Sequence, residues 1–413
     1  MGRRLDGKTV VLALTGGIAC YKAAELVRAL TRDGATVRVM MSAGAEQFIT
    51  PLTLQTLSGN PVATSTFDLT QESEIGHIRL ADSADVVVIA PATANIIGKI
   101  AAGIADDLVT TVLLATRAPV VLAPAMNVHM YENRIVQANL DRLRQHGFRI
   151  VEPGEGFLAC GYEGKGRLAD LEVLLAEVGR ALSPHDLAGE HVLITAGPNR
   201  EPLDPVRFIS NRSTGKMGFA LAAAAWRRGA EVSLIAGPTT LPTPHGVRRC
   251  DVSTAEQMHR AVMAAYEPAT IVLMAAAVAD YRPARVAKEK VKKGSGRMVL
   301  ELERTTDILA ELAPRKGPRI LVGFAAETEQ VTANAERKLV KKDLDLIVAN
   351  DVAGKDMGFE VDTNAVTIID RNGHQESVPL MSKDDVADRI LDCVLALKQQ
   401  RSTGTLASGT HQT

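Results

Sequence analysis

The chain has little of what marks several large classes of protein. Its four cysteines, Cys20, Cys160, Cys250 and Cys393, stand far apart with no C-x-x-C pair. That spacing speaks against a zinc site or a disulfide scaffold and suits a reducing cytoplasm. Aromatic residues make up 3% of the 413 positions, too few for base-stacking platforms. The formal net charge is −1, so the positive field of a general nucleic-acid binder is missing. No apolar run reaches the roughly 18 residues of a membrane span. The basic start MGRRLDGK leads into a strand–turn–helix pattern rather than a cleavage site. A cytoplasmic protein with neither nucleic-acid nor membrane partners is the expectation.

Two nucleotide-binding signatures are also missing. Neither half carries G-x-G-x-x-G, which disfavours an NAD(P)-dependent oxidoreductase with tandem Rossmann domains. Ser210 and Met217 stand where a Walker loop needs Gly and Ser or Thr.

What is present is an ordinary globular composition, 46% hydrophobic and 23% charged, long enough for two or three domains. The chain begins the same way twice. TVVLALTGGIACYKAAELVRALTRDGATVRVMMS parallels HVLITAGP…MGFALAAAAWRRGAEVSLIAG, each reading as strand, turn, helix and second strand. The second copy is longer, and the excess lies in the loop between Thr195 and Lys216. That loop carries Asn199, Arg200, Arg207, Asn211 and Arg212, with Ser213-Thr214-Gly215 as a hydroxyl-and-glycine cap before a helix from about Lys216 to Arg228. Free N–H groups at such a helix start favour an anion.

The pattern predicts an α/β protein of two Rossmann-like domains. The expected spans are 1–182, a linker at 183–188, 189–398, and a disordered Ser/Thr/Gly-rich tail at 399–413. In the first domain, helices are expected at Tyr21–Thr31, around Ala43–Thr50, at Asn95–Ile104, from about Glu132 and at Leu171–Leu182. Strands are expected at Thr36–Met41, Val86–Ala90 and Val120–Ala123. Runs such as DVVVIAP suit strands buried on both faces of a parallel sheet. The strand ends carry Thr15-Gly16-Gly17, Ser42, Pro91–Asn95 and Pro124–Asn127. No acidic residue closes the second strand to hold an NAD ribose, so a mononucleotide such as FMN is the better fit.

GHIRL (His77), PATAN (Pro91–Asn95), PAMNVHMY (Pro124–Tyr131) and GFLACGYEGKGRL (Cys160) resemble, in that order, the flavin-dependent cysteine decarboxylases. ISNRSTGKMG, AAAVADYRP and KVKK resemble the phosphopantothenate–cysteine ligases. Both halves in this order are similar to the bifunctional bacterial enzymes of coenzyme A synthesis across residues 7–398, which implies an N-terminal flavodoxin-like flavoprotein and a C-terminal nucleotide-binding ligase domain. The decarboxylase motifs depart mildly from the family's, with Thr93, Ile96 and Tyr131 at three positions; Ile96 removes a hydroxyl from the expected cofactor contacts, and Tyr131 keeps an aromatic wall.

The resemblance implies FMN held by Gly16, Gly17, Ile18, Ala19, Ser42, Thr93 and Asn95. It implies His77 as base, Asn127 as carboxylate anchor, Met130 as pocket wall and Cys160 as proton donor. A thiol is mostly protonated at neutral pH and so has a proton to give. In the ligase half it implies 4′-phosphopantothenate, cysteine, CTP and Mg2+. CTP contacts would be Met274, Ala275, Ala276, Asp280, Lys290, Thr306, Asp307, Ile308, Leu309, Phe324, Lys338 and Lys342. Asn211 would hold an acyl-cytidylate, Arg207 would position substrate, and Lys290 would act on the phosphate; Asp280 is the metal-ligand candidate. It further implies a homo-oligomer in which decarboxylase trimers and ligase dimers make a dodecamer. A non-enzymatic flavin-binding regulatory subunit also fits the architecture, but such a subunit would be marked by loss of His77 or the SNRSTGK loop, and both are present.

Overall fold

A computed structural model of the chain describes residues 4–66, 76–157, 161–293, 297–327, 331–351 and 361–408. The chain forms two compact units that divide between Pro184 and His185.

The first unit is built on six parallel strands in the order Val62–Ala63, Thr36–Met41, Thr9–Leu14, Val86–Ala92, Val120–Pro124, Arg149–Ile150. Successive residues of a strand face opposite sides, so a strand covered on both sides must be apolar throughout. Val10, Leu12 and Leu14 pack with the helices Cys20–Arg32 and Leu171–Ala181. Val11 and Ala13 pack with the helices Ala94–Ala102, Leu108–Ala115 and Arg134–Gln145. The strand order is 3-2-1-4-5-6, the Rossmann order. This narrows the flavodoxin-like expectation, because the flavodoxin order is 2-1-3-4-5. The topological switch lies between Thr9–Leu14 and Val86–Ala92.

The second unit repeats the plan on eight strands. Their order is Arg248–Asp251, Glu231–Ala236, His191–Ala196, Ile271–Met274, Ile320–Glu327, Leu346–Asp351, Thr363–Asp370, Gln375–Ser382. The first six are parallel and the last two antiparallel. Helices Lys216–Arg227 and Lys383–Ser408 cover one face, and Ala255–Ala265, Ile308–Leu312 and Val331–Lys341 the other.

Three local expectations are corrected. No helix spans Ala43–Thr50; a short 3-10 turn at Ala45–Gln47 is followed by a helix at Pro51–Ser58. Proline disfavours helical geometry in the residue before it, so Thr50 is extended and Pro51 opens the helix. The tail is not disordered over 399–408, where the helix Lys383–Ser408 simply continues. Extending a packed helix costs far less than nucleating one, and Arg401 fixes the extension by donating to Arg319 O at 3.1 Å and pairing with Asp345. Residues 409–413 lie outside the described residues. Within the long polar loop, read from sequence as a loop throughout, Arg200–Pro202 pairs antiparallel with Phe208–Ser210.

Candidate active sites

In the first unit the site is assembled by a buried hydroxyl at the topological switch. Thr15, 2% exposed, donates through Oγ1 to Pro91 O at 2.7 Å and accepts from Thr93 N at 3.0 Å. Thr93 in turn caps the helix Ala94–Ala102, its Oγ1 accepting from Ile96 N at 3.4 Å. These bonds weld the turn Thr15-Gly16-Gly17 to the turn Pro91-Ala92-Thr93. Ser42 holds the third turn: its N–H donates to Leu14 O at 3.0 Å and its Oγ accepts from Ala45 N at 3.3 Å. A Cβ on Gly16 would lie 3.0 Å from the Gly44 backbone, so only glycine lets these two turns approach.

Gly16, Gly17, Ile18, Ala19, Ser42 and Thr93 therefore meet at one edge of the sheet, and Asn95 stands exposed on the first turn of its helix. The helix Cys20–Arg32 starts at Ala19 without a side-chain cap. Its first-turn N–H groups are taken up by the turn ahead of it, Cys20 N donating to Gly17 O at 3.0 Å and Lys22 N to Ala19 O at 3.0 Å. Ile96 packs into the core at 2% exposure.

His77 stands half-buried on the first turn of the helix Gly76–Ser83. Asn127 caps the helix Val128–Glu132, its Oδ1 accepting from His129 N at 2.8 Å, which places Nδ2 on the opposite edge. Met130 is exposed rather than part of the core. Tyr131 is buried, and its hydroxyl donates to Glu152 Oε2 at 2.8 Å. Burial, and then Glu152, push that hydroxyl up to about 12.

The glycine-rich stretch is a hairpin of Gly154–Phe157 and Glu163–Arg167; Cys160 itself lies outside the described residues. The hairpin rests on the Asn127 turn. Met126 N donates to Gly166 O at 2.9 Å, and a Cβ on Gly166 would fall 2.3 Å from Met126 O. That contact brings the base of the hairpin carrying Cys160 against Asn127.

In the second unit a cavity of about 1200 Å³ opens at the carboxyl edge of the sheet. Asn211 and every CTP candidate except Lys290 line it. Gly218 lets the helix Lys216–Arg227 sit hard on the strand before it, since a Cβ there would be 2.5 Å from Ala196 Cβ. The expected hydroxyl cap is displaced: Gly215, at φ 83°, is the N-cap, and Ser213 Oγ accepts from Gly215 N at 3.3 Å. Only a residue without Cβ takes that φ cheaply, so the glycine occupies the cap and the hydroxyl falls two residues earlier.

Around the cavity the polar groups hold one another in place. Asn211 Nδ2 donates to Ala277 O at 3.0 Å, Lys338 Nζ to Phe324 O at 2.7 Å, and Lys342 pairs with Asp307. Burial lowers the Lys342 ammonium pKa, and Asp280 opposes that.

Arg207 and Lys290 do not line this cavity. Buried Asp204 accepts from Val206 N and Arg207 N at 2.8 Å and from Val291 N at 3.1 Å, and pairs with the Arg207 guanidinium at 2.7 Å. Burial alone would raise the Asp204 carboxyl, but these donors outweigh it and hold the group well below the usual carboxylate range. Arg207 and the lysine-rich segment are thereby tied together, with Lys290 exposed beside the tie. Sequence reasoning missed Arg304, Arg337, Lys341, Lys383, Asn350 and Asn364, all of which line the cavity. Lys383 is 6% exposed; burial, with Lys216 nearby, brings its ammonium down to about 8. Among the described residues no cluster of three His, Cys, Asp or Glu side chains could hold a metal. Magnesium needs none, since it usually binds through one or two carboxylates, waters and substrate phosphates.

Comparison with known proteins agrees with this two-part plan. The Flavoprotein family matches residues 1–183, and the DNA/pantothenate metabolism flavoprotein C-terminal domain family matches residues 187–397. The chain is 52% identical over 400 residues to the Coenzyme A biosynthesis bifunctional protein CoaBC of Bacillus subtilis, covering 96% of this chain and 98% of that one. It is 48% identical over 393 residues to its namesake in Vibrio cholerae, covering 94% and 98%. A crystal structure of the C-terminal domain of a CoaBC protein is 42% identical and covers 52% of this chain and 99% of that one, with a TM-score of 0.46.

Proposed function

The chain belongs to the family of bifunctional coenzyme A biosynthesis proteins, and from that premise we propose how its residues divide the work. It is a bifunctional enzyme, with a flavoprotein decarboxylase unit followed by a ligase unit. In our reading the second unit joins 4′-phosphopantothenate to cysteine at the expense of CTP. The first then converts that product to 4′-phosphopantetheine.

In the ligase, the phosphopantothenate carboxylate attacks the α-phosphate of CTP, and diphosphate leaves; Mg2+, when bound, would offset charge on the phosphates. The cysteine amine then attacks the acyl-cytidylate, an amide forms, and CMP departs. Lys290 stabilises charge on the phosphate in the first step, carried in by the segment that Asp204 and Arg207 anchor. Asn211 keeps one amide hydrogen on Ala277 O and offers the rest of its carboxamide to the mixed anhydride.

In the decarboxylase, Gly16–Ala19, Ser42, Thr93 and Asn95 would hold FMN, which when bound would supply two-electron oxidation of the thiol end, making the neighbouring carboxylate labile, and later reduction. His77 takes the proton released on that oxidation. Asn127 orients the carboxylate through Nδ2, its Oδ1 being fixed by the cap. Cys160 gives a proton to the product.

The observation that carries the reading is the gathering of eleven CTP candidates and Asn211 around one cavity. Rapid-quench measurement of acyl-cytidylate tests it. Lys290→Gln should slow diphosphate release without cysteine by about 10²–10³, whereas Asn211→Asp should slow amide formation and let the intermediate accumulate or hydrolyse. Equal block of the same half-reaction by both variants would refute the two roles.

A further inference from the structure

The glycine-rich hairpin of the first unit has little of its own to hold it still. Its strands read GEGF and EGKGR, with glycine at alternate positions. Glycine weakens a strand, and a two-stranded ribbon by itself is marginal, so the hairpin is placed by what it lies on. Besides the bond from Met126 N to Gly166 O, Tyr162 meets His129 edge-on with ring centroids 5.1 Å apart. Gly164 lies so close to Val128 that an added Cβ would sit 2.9 Å from its Cγ2.

A charged tie adds to these contacts at Glu152. This residue follows the strand Arg149–Ile150 and stands between Val151, whose N–H donates to Leu122 O at 2.9 Å, and Pro153, both buried. The sheet therefore fixes its backbone while the carboxylate stands out. Oε2 accepts from Lys165 Nζ at 2.7 Å and from the Tyr131 hydroxyl at 2.8 Å, and Oε1 accepts from Arg144 Nη2 at 2.7 Å. Lys165 belongs to the second strand of the hairpin, and Tyr131 and Arg144 to the helices Val128–Glu132 and Arg134–Gln145. Lys165 Nζ also lies 5.7 Å from the centre of the Tyr131 ring. One carboxylate thus joins the hairpin to the sheet edge and to two helices. Burial alone would raise the Glu152 carboxyl, but Lys165 and Tyr131 outweigh it and hold the group below its ordinary value, charged at neutral pH. A lone exposed ion pair contributes little, whereas a carboxylate shared by several ordered partners restrains all of them. We propose that Glu152 is a positioning residue of the decarboxylase. It acts through Lys165 to hold the hairpin on the Asn127 turn, in the geometry that the step after CO2 loss requires.

This inference rests on the roles given above to Asn127 and Cys160. The test supplies phosphopantothenoylcysteine directly to the FMN-loaded, full-length protein and follows CO2, product and flavin absorbance. Lys165→Met keeps the side-chain stem and removes the charge. Lys165→Met and Glu152→Ala should each lower kcat at saturating substrate about three- to tenfold. Reduced flavin should persist longer in single turnovers of both, while flavin content stays as in wild type. The double variant should be no slower than the worse single variant, within about twofold, because both changes break one tie. Lys165→Arg keeps a cation within reach of the carboxylate and should hold kcat within about twofold of wild type. Losses that multiply in the double variant, or a Lys165→Arg variant as slow as Lys165→Met, overturn the proposal. If Glu152→Ala does not fold, the lysine variants decide: Lys165→Met at the wild-type kcat overturns it. A Cys160→Ser variant that completes turnover as wild type does overturns the roles on which the proposal rests, and the proposal with them.

Discussion

Replacing Thr15 with valine removes one hydroxyl and almost no volume. The hydroxyl both donates to Pro91 O and accepts from Thr93 N, in a setting closed to water. Valine leaves both backbone groups without that partner, at about 1–3 kcal/mol for the buried Pro91 O and about 1–2 kcal/mol for the partly buried Thr93 N. Together that is roughly 2–5 kcal/mol, and in a unit of this size about 1 kcal/mol shifts Tm by about 2–4 °C. The decarboxylase unit of Thr15→Val should therefore melt on the order of 5–15 °C lower. Because the bonds also set the spacing between the two turns proposed to hold flavin, FMN affinity should fall at least tenfold. Thr15→Ser keeps the hydroxyl and should bind FMN within a few-fold of wild type. The assays are a flavin fluorescence titration of the apoprotein and a thermal melt. A valine variant that binds FMN as tightly as wild type and melts within about 2 °C of it would refute the idea that this hydroxyl assembles the site.

Gly166→Ala should displace the hairpin, because its Cβ would fall 2.3 Å from Met126 O; decarboxylation should drop at least tenfold while flavin content, read by absorbance, is kept. Cys160→Ser should stall the decarboxylase after CO2 loss with an oxidised enethiol product, whereas His77→Asn should block flavin reduction; identical single-turnover spectra would remove the two roles. Lys383 titrates at about 8 in the folded chain against an ordinary 10.5. Between those values the unfolded state binds more protons, so stability of the second unit should rise with pH through that window. Denaturant melts at pH 7.5 and 9.5 should show that rise in wild type and a smaller one in Lys383→Met; equal slopes would contradict the buried-ammonium account.

The scaffold was readable because buried parallel strands leave no choice of residue. DVVVIAP and HVLITA can be little else when the helices that follow them cover both faces. The edge proposed to hold flavin was readable as a cluster of turns, since Gly16, Ser42 and Thr93 each come just after such a strand. What was hidden depends on tertiary pairing. Asp204 and Arg207 lie three residues apart in a loop, and nothing local says that one is buried and draws the other onto the backbone of Val291. Asn350, Asn364 and Lys383 each look like a solvated polar residue at a strand or helix end. Only the order of strands brings them to the cavity reached by Asn211. The Ser/Thr/Gly composition of 399–408 pointed to disorder, but the packed helix ahead of it and the Arg401 contacts extend the helix.

The most direct test of the whole account follows one carbon through both units. Full-length protein is supplied with cysteine labelled at its carboxyl carbon, 4′-phosphopantothenate and CTP, and labelled CO2 is measured with each component omitted in turn. The account predicts stoichiometric label release only when phosphopantothenate and CTP are both present, with one diphosphate formed per CO2. Label release without CTP, or diphosphate formed in full while the label stays in the product of an FMN-loaded enzyme, would contradict it.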